Sequence, residues 1–249
     1  MISALPLRGS ARMLPGNRAL PIFRCQGNEF PQCSPVMNLR LTIFLSLVLA
    51  AANSTGLAKV SLAPAFTDHM VLQREMAVPI WGTARPGEKI TVTFRKQTRT
   101  TTAGKGGTWR VKLDSLKAGG PDQLTIAGEN KIGIKDVLVG EVWVGSGQSN
   151  MAGAVASYAK RDETLAKIAG TAPYPKIRLL KTGGRLEWTV ADTNNVNRFS
   201  ALLFAFGHRL HEELDVPVGL ILGAVGGTPS GMWLSEAAFA NDAACQQMV

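Results

Sequence analysis

Residues 147–151, with the sequence Gly-Gln-Ser-Asn-Met, contain the side chain that is best placed for covalent chemistry. They follow an apolar run from Val137 to Val144 that predicts a strand, and they precede a stretch that can form a helix. Many hydrolases present a serine on such a turn, because it lifts the hydroxyl clear of the sheet. Ser149 is therefore a candidate nucleophile, with Gln148 and Asn150 beside it as candidate substrate-binding residues.

A second glycine-rich turn follows a second apolar run. The run from Val218 to Ala224 predicts a strand, and Gly226 and Gly227 come shortly after it. Glycines at a strand end let backbone N–H groups approach a ligand closely, as an oxyanion hole requires. If both strands belong to a parallel sheet, the two turns lie at the edge where ligands bind.

Both patterns also have simpler explanations. Ser149 could be only the N-cap of a helix, and the second turn could be an ordinary tight turn. Met151 stands where the common α/β-hydrolase motif G-x-S-x-G has its second glycine. Neither turn matches a nucleotide motif, because no Gly-Lys-Ser/Thr follows Gly227 and Asn150 stands at the third glycine position of a dinucleotide fingerprint.

The N-terminal part has the pattern of an export signal. Residues 37–40 carry a positive charge, residues 41–52 are uncharged and mostly apolar, and Gly56-Leu57-Ala58 offers small residues for cleavage. We expect residues 37–58 to be a signal peptide, and residues 1–36 to be a mis-started or disordered extension. The protein is then exported, periplasmic or extracellular, with no stable membrane insertion after cleavage.

Charge and cysteine content exclude several functions. Residues 1–58 hold five of the 27 basic residues and one of the 18 acidic ones, so their removal lowers the net charge from +9 to +5. The remaining cations are scattered, which argues against nucleic-acid binding. Only Cys245 would remain, so no internal disulfide is expected. His208, His211 and Glu212 could hold a metal, but a partly exposed helix face is the better interpretation.

Residues 59–136 have the pattern of a small antiparallel β-sandwich-like domain. Short runs rich in Val, Thr and Ile alternate with turns that contain Gly, Pro or Asn. Lys89 to Phe94 alternates regularly, which predicts one buried and one solvated face. The other predicted strands are 77–82, 98–102, 108–113 and 123–127.

From residue 137 the pattern changes to α/β. Helices are predicted at 163–169 and at 200–214, the latter with Ser200 as N-cap and with Leu202, Leu203, Phe206, Leu210 and Leu214 at helical spacing. Short strands are predicted at 177–181 and 186–190. Helices linked tightly to apolar strands indicate a parallel sheet with crossover helices. Trp143 and Trp233 could line a sugar-binding wall or belong to the core.

Several segments resemble the sialate O-acetylesterase family of SGNH-type serine esterases, which is related to acetylxylan esterases. The resemblance covers about residues 60–236, and its most specific part is Gly-Gln-Ser-Asn-Met at 147–151. The other similar segments are 66–74, 78–82, 118–121, 135–143, 199–201, 210–214 and 216–221.

The resemblance implies a fold and a mechanism. The fold would be the β-sandwich-like domain at 59–136 followed by the N-terminal part of an SGNH-type α/β domain at 137–249. Ser149 would be the nucleophile of a carbohydrate O-acetylesterase, and its N–H would form the oxyanion hole with that of Gly226 or Gly227. No metal or organic cofactor is implied.

The family's remaining site motifs have no counterpart in this sequence. Its base is a histidine in an Asp-x-x-His pair, preceded by a Gln-Gly-Glu segment, and none of His69, His208 and His211 matches that position. We therefore expect a C-terminally truncated chain without the catalytic Asp and His. The alternatives are an inactive carbohydrate-binding remnant, an acetylxylan esterase, or a fragment without a stable fold.

Overall fold

The computed structural model describes residues 59–229 and 233–241, which lie within one compact unit. The predicted signal peptide at 37–58, the extension at 1–36 and Cys245 lie outside the described residues. Within the described ranges, no helix combines the length and the apolar character that a membrane span requires.

In the described ranges, eleven strands and six helices make a mixed α/β fold. The strands are β1 (Ser61–Leu62), β2 (Val71–Gln73), β3 (Val78–Thr83), β4 (Lys89–Phe94), β5 (Gln97–Thr102), β6 (Thr108–Leu113), β7 (Gly119–Ala127), β8 (Lys131–Gly145), β9 (Tyr174–Lys181), β10 (Trp188–Ala191) and β11 (Val218–Leu222). The described helices are α1 (Ser149–Ala152), α2 (Val155–Tyr158), α3 (Glu163–Gly170), α4 (Thr193–Arg198), α5 (Ala201–Leu214) and α6 (Glu236–Ala240).

The N-terminal strands form two sheets that share one core. Strands β1, β3 and β6 make a three-stranded antiparallel sheet, and β4, β5 and β7 belong to an eight-stranded sheet. The predicted alternation in β4 is confirmed, because Ile90, Val92 and Phe94 are fully buried while the residues between them are not. These side chains belong to the same apolar cluster as Ile80 and Val111 of the smaller sheet.

Strand β8 is the longest of the described elements and pairs with three other strands. Its first part is antiparallel to β7, residues 138–140 are parallel to β2, and residues 141–145 are parallel to β11. The sequence predicted only a strand at 137–144. The domain boundary proposed at residues 136–137 falls inside this strand, so β8 is common to both parts of the chain.

The C-terminal part contains the predicted parallel arrangement. Strand β11 lies between β8 and β9 and is parallel to both, while β10 is antiparallel to β9 at the edge. Helices connect the parallel strands, and α5 packs its buried residues against Val218, Leu220 and Leu222 of β11.

Helix α5 begins as predicted but presents a different face to the core. Ser200 is its N-cap, and its hydroxyl accepts a hydrogen bond from the N–H of Leu203 at 3.1 Å. Of the apolar residues that predicted this helix, Leu202, Phe206 and Leu214 are exposed. The buried face is formed by Ala201, Leu203, Phe204, Gly207 and His208, because the small Gly207 lets the helix approach Leu220 closely.

A partly buried ionic cluster joins β8 to β9. The guanidinium of Arg178, which is 4% exposed, donates to both carboxylate oxygens of Asp136 at 2.6 and 3.1 Å. Nδ1 of His69 lies 2.6 Å from the same carboxylate. Arg178 also donates from Nε to the carbonyl oxygen of Pro175 at 3.0 Å, so the guanidinium is fixed from two sides.

Loss of the Arg178 side chain should destabilise the fold. Arg178→Met leaves Asp136 without its main partner, and we expect the free energy of unfolding at pH 7 to fall by about 3 kcal/mol. Arg99→Met is the matched control, because Arg99 pairs with Asp114 in an exposed position and should cost under about 1 kcal/mol. Urea denaturation followed by circular dichroism measures both; equal losses would contradict a structural role for the cluster.

The same cluster predicts a pH dependence of stability. The hydrogen bonds from Arg178 lower the pKa of Asp136 below its ordinary value of 3.8, against the opposing effect of partial burial. The unfolded chain then binds this proton more tightly, so the contribution is present above about pH 5 and is lost as the pH falls through and below 3.8. In Asp136→Asn, the free energy of unfolding should therefore fall less steeply with decreasing pH below about pH 5 than in the parent chain. Asp215→Asn, which removes an exposed ion pair, should not change that slope.

Candidate active site

Two turns lie side by side at the carboxyl end of the parallel strands. We call residues 146–149 the serine turn and residues 223–228 the glycine turn. In the sheet register Leu222 of β11 is level with Gly145 of β8 and with Lys181 of β9. The N–H of Gly223 donates to the carbonyl oxygen of Gly145, and the N–H of Val225 donates to that of Gly147, both at 2.9 Å. Backbone hydrogen bonds therefore hold the two turns together.

Ser149 is the first residue of the short helix α1, not its N-cap. The N-cap is Gln148, and its side chain makes no capping hydrogen bond. The interpretation of Ser149 as a capping serine is therefore wrong. Ser149 is exposed, and its hydroxyl makes no hydrogen bond to another residue of 59–229 or 233–241. The Ser149 hydroxyl is thus accessible to solvent and has no hydrogen-bond partner within this part of the chain.

Backbone geometry and helix packing fix the position of the serine turn. Gly147 has φ +118, a conformation that side-chain-bearing residues rarely adopt, and an added Cβ there would meet nothing within 4 Å. At Gly145 a Cβ would lie 2.8 Å from Leu203 and 2.9 Å from Met151, so α1 and α5 pack directly on the end of β8. Met151 anchors the turn, and Gly147 sets its direction.

Both turns contain backbone N–H groups without an acceptor in the part of the chain that the structure describes. Among the described residues, the N–H groups of Ser149, Gly226 and Gly227 donate no hydrogen bond. Gly226 and Gly227 are exposed, and Gly227 has φ +79. The hydroxyl of Thr228 donates to the carbonyl oxygen of Val225 at 2.8 Å and accepts from Trp233 Nε1 at 3.0 Å, so the glycine turn is braced on its far side.

The neighbours of Ser149 face different surroundings. Gln148 and Asn150 are both exposed. Asn150 lines a cavity of about 340 Å³ whose wall is mostly apolar and includes Tyr158, Leu165 and Leu202. Gln148 does not line this cavity. An apolar recess with a few polar groups, next to a candidate nucleophile, is typical of a small-ligand site.

The three histidines of the chain are engaged elsewhere. His69 contacts Asp136, and His211 Nδ1 lies 2.8 Å from the carbonyl oxygen of Val216. His208 is buried rather than partly exposed as expected, because it packs against Tyr174 and Phe204 and lies 3.4 Å from Glu212. The part of the chain that the structure describes contains no group of three or more metal-ligating side chains.

Sequence reasoning missed a third turn at the same edge. Thr182, directly after β9, donates from its N–H at 2.9 Å and from its hydroxyl at 3.0 Å to the carbonyl oxygen of Leu222. Gly183 and Gly184 follow Thr182. A pair of glycines after an apolar run, as at Gly226 and Gly227, is the sequence pattern that could have predicted this turn. Trp143 and Trp233 are 44% and 40% exposed, so neither is a core residue.

Comparisons with known proteins identify a matching family and similar sequences and structures. Residues 139–248 match the family of carbohydrate esterases described as sialic acid-specific acetylesterases. The sialate O-acetylesterases of Homo sapiens and Rattus norvegicus are 33% identical over 227 residues and 30% identical over 226 residues; each alignment spans 79% of this chain. A carbohydrate acetylesterase from Xanthomonas citri matches the structure with a TM-score of 0.67 and 30% identity over 75% of this chain.

The chain spans less than half the length of these relatives. The alignments cover 43% of the human protein, 41% of the rat protein and 45% of the Xanthomonas citri chain. The alignments nevertheless extend well beyond the Gly-Gln-Ser-Asn-Met segment. The family model, the sequence alignments and the structural match all indicate carbohydrate acetylesterases. The chain belongs to the sialate O-acetylesterase family.

Proposed function

We propose that this chain acts on acetyl esters of sugars, with Ser149 as the nucleophile. The observation that carries the proposal is the hydrogen bond from Val225 to Gly147, which sets the glycine turn beside the serine turn. An accessible serine hydroxyl and unused N–H groups at the ends of parallel strands are two of the parts that acyl transfer requires, and a base is the third.

The proposed reaction proceeds through an acetyl-enzyme. The Ser149 oxygen attacks the acetyl carbonyl carbon while a base takes its proton, and the carbonyl oxygen becomes an oxyanion. The N–H groups of Ser149 and of Gly226 or Gly227 stabilise that charge. The sugar hydroxyl leaves with a proton, and water then hydrolyses the acetyl group from Ser149. Gln148 and Asn150 are proposed to hold the sugar, Asn150 by donating to a substrate oxygen.

The reaction needs a base other than the three histidines of this chain. His69, His208 and His211 contact Asp136, Glu212 and Val216, respectively, and none of them contacts Ser149. Within residues 59–229 and 233–241 the structure thus supports a positioned nucleophile and oxyanion donors, and activation of the nucleophile is a separate requirement. A diffusible base such as imidazole can be supplied in an assay.

The finer architecture and location are also proposals. The shared core of the two N-terminal sheets supports a β-sandwich-like domain at 59–136, and the parallel strands support an SGNH-type domain from residue 137. The charged and apolar segments at 37–58 support a signal peptide and export. Acetylated sialic acid is the proposed substrate, with acetylated xylan as the rival.

A non-catalytic carbohydrate-binding role is the second candidate. The separation of all three histidines from Ser149 favours it, since a serine hydroxyl without a base is a weak nucleophile at neutral pH. This role predicts sugar binding without acetate release, unchanged by the loss of the Ser149 hydroxyl.

Ser149→Ala should abolish acetate release from O-acetylated sialic acid, measured with and without imidazole. Removal of a nucleophile costs about four to six orders of magnitude in rate. Ser146→Ala is the matched control, because Ser146 is an exposed serine in the same turn and should be dispensable. Acetate release that survives in Ser149→Ala, or the lack of any Ser149-dependent release under both conditions, would contradict the esterase proposal.

Gly147→Ala should impair catalysis without unfolding the protein. The positive φ of Gly147 strains any side-chain-bearing residue by about 1–3 kcal/mol, while the space around it is open. We expect a fall of about tenfold to a hundredfold in kcat/KM for acetate release, and a Tm that is lower by several degrees, since about 1 kcal/mol shifts Tm by about 2–4 °C in a domain of this size. Gly170→Ala is the control, because this helix residue has open space and no positive φ. Equal activity of both variants would show that the turn conformation is unimportant.

A further inference from the structure

The outer face of the three-stranded sheet carries an exposed tryptophan. Trp81 of β3 is 42% exposed, although its neighbours Ile80 and Gly82 are buried. The alternation of β3 directs Trp81 to the side opposite the core. An exposed indole forgoes the free energy that burial of its apolar surface would contribute to folding. Binding of a ligand against the ring would recover part of that free energy, so the exposure of Trp81 is consistent with a ligand-binding role.

The orientation of this indole is fixed by a second aromatic ring. Phe66 packs against Trp81 with ring centroids 4.7 Å apart and an interplanar angle of 81°, which is the favoured edge-to-face geometry. Phe66 is itself packed against the core cluster. Because the ring is braced, Trp81 can act as a flat platform with little loss of side-chain entropy on binding.

Trp81 lies in a groove of about 860 Å³, which we call the Trp81 groove. This volume is within the range of small-ligand sites. Its wall combines apolar residues with threonine hydroxyls, and its lining includes Leu62, Pro64, Thr83, Thr102, Thr108 and Arg110. The elements that form it are β1, β3, β6 and the end of β5, so it shares no lining residue with the cavity beside Asn150.

One cation is the cross-strand neighbour of Trp81. Arg110 of β6 is paired in register with Trp81, and both are on the outer face of the sheet. Arg110 is exposed, and it makes no ion pair with a carboxylate in residues 59–229 or 233–241. Two register positions along, on the same face, Thr83 is paired with Thr108, and the Thr83 hydroxyl lies 2.7 Å from that of Ser61.

We propose that the Trp81 groove is a second carbohydrate-binding site, separate from Ser149, for a sugar that carries a carboxylate. The apolar face of a pyranose ring stacks on Trp81, the carboxylate pairs with the fork of Arg110, and the threonine hydroxyls bond the ring hydroxyls. The single cation in the lining argues against a nucleic acid, which needs several phosphate contacts.

The test is a titration of the full chain with the methyl glycoside of N-acetylneuraminic acid, and with methyl β-galactoside as the neutral sugar. Binding is followed by saturation-transfer NMR and tryptophan fluorescence. Trp81→Ala should weaken binding of the acidic sugar by about tenfold or more. Trp81→Phe, which keeps a ring for stacking, should restore part of it, and both variants should keep the far-ultraviolet circular dichroism of the parent chain.

Matched charge variants test the role of the cation. Arg110→Gln should weaken binding of the acidic sugar by about tenfold and leave binding of the neutral sugar unchanged. Lys112→Gln, the next cation on the same face of β6, should change neither. Ser149→Ala should bind as well as the parent chain, which separates this site from the proposed esterase site. Unchanged binding in folded Trp81→Ala, or loss of binding in Ser149→Ala, would overturn the proposal.

Discussion

The continuity of β8 is the constraint on which the rest of the described fold depends. This one strand pairs with β7, then with β2, then with β11, so a single backbone fixes the antiparallel and the parallel parts in one register. The cluster of Arg178 and Asp136 holds it against β9 from the side. Because the register is continuous, Gly145 ends level with Leu222, and only that coincidence lets the serine turn and the glycine turn meet.

Sequence patterns predicted those strands and helices whose structure depends mainly on residues close to them in the chain. Strand β4 alternates because one side is buried, and α5 begins at Ser200 because its hydroxyl caps the first turn. The first half of β8 was missed because residues 131–136 are mostly polar or glycine and are held by pairing with β7. The buried face of α5 was misjudged because apolar residues occupy both of its sides, and contact with β11 decides which is covered.

The two turns of the candidate site were also predictable from local patterns. Strand, turn and helix follow one another at Ser149, and a strand and two glycines follow one another near Gly226, so each turn could be found in the sequence. The hydrogen bond between Val225 and Gly147 joins residues that are far apart in the chain, and it depends on the register of β11 against β8. No local pattern contains that information, and the exposure of Trp81 and Trp143 likewise depends on what the finished fold leaves uncovered.

Positioning and activation of the serine are physically separate in this structure. The conformation of Gly147 and the packing of Met151 orient Ser149, and in the proposed mechanism the unused N–H groups of Ser149, Gly226 and Gly227 lower the energy of an oxyanion whether or not a base is present. An oxyanion-hole donor is worth about a hundredfold to a thousandfold in rate, which is far less than the full effect of a serine hydrolase site. In the proposed reaction, binding and orientation can therefore reside in residues 59–229 and 233–241, while the rate depends on the group that takes the Ser149 proton.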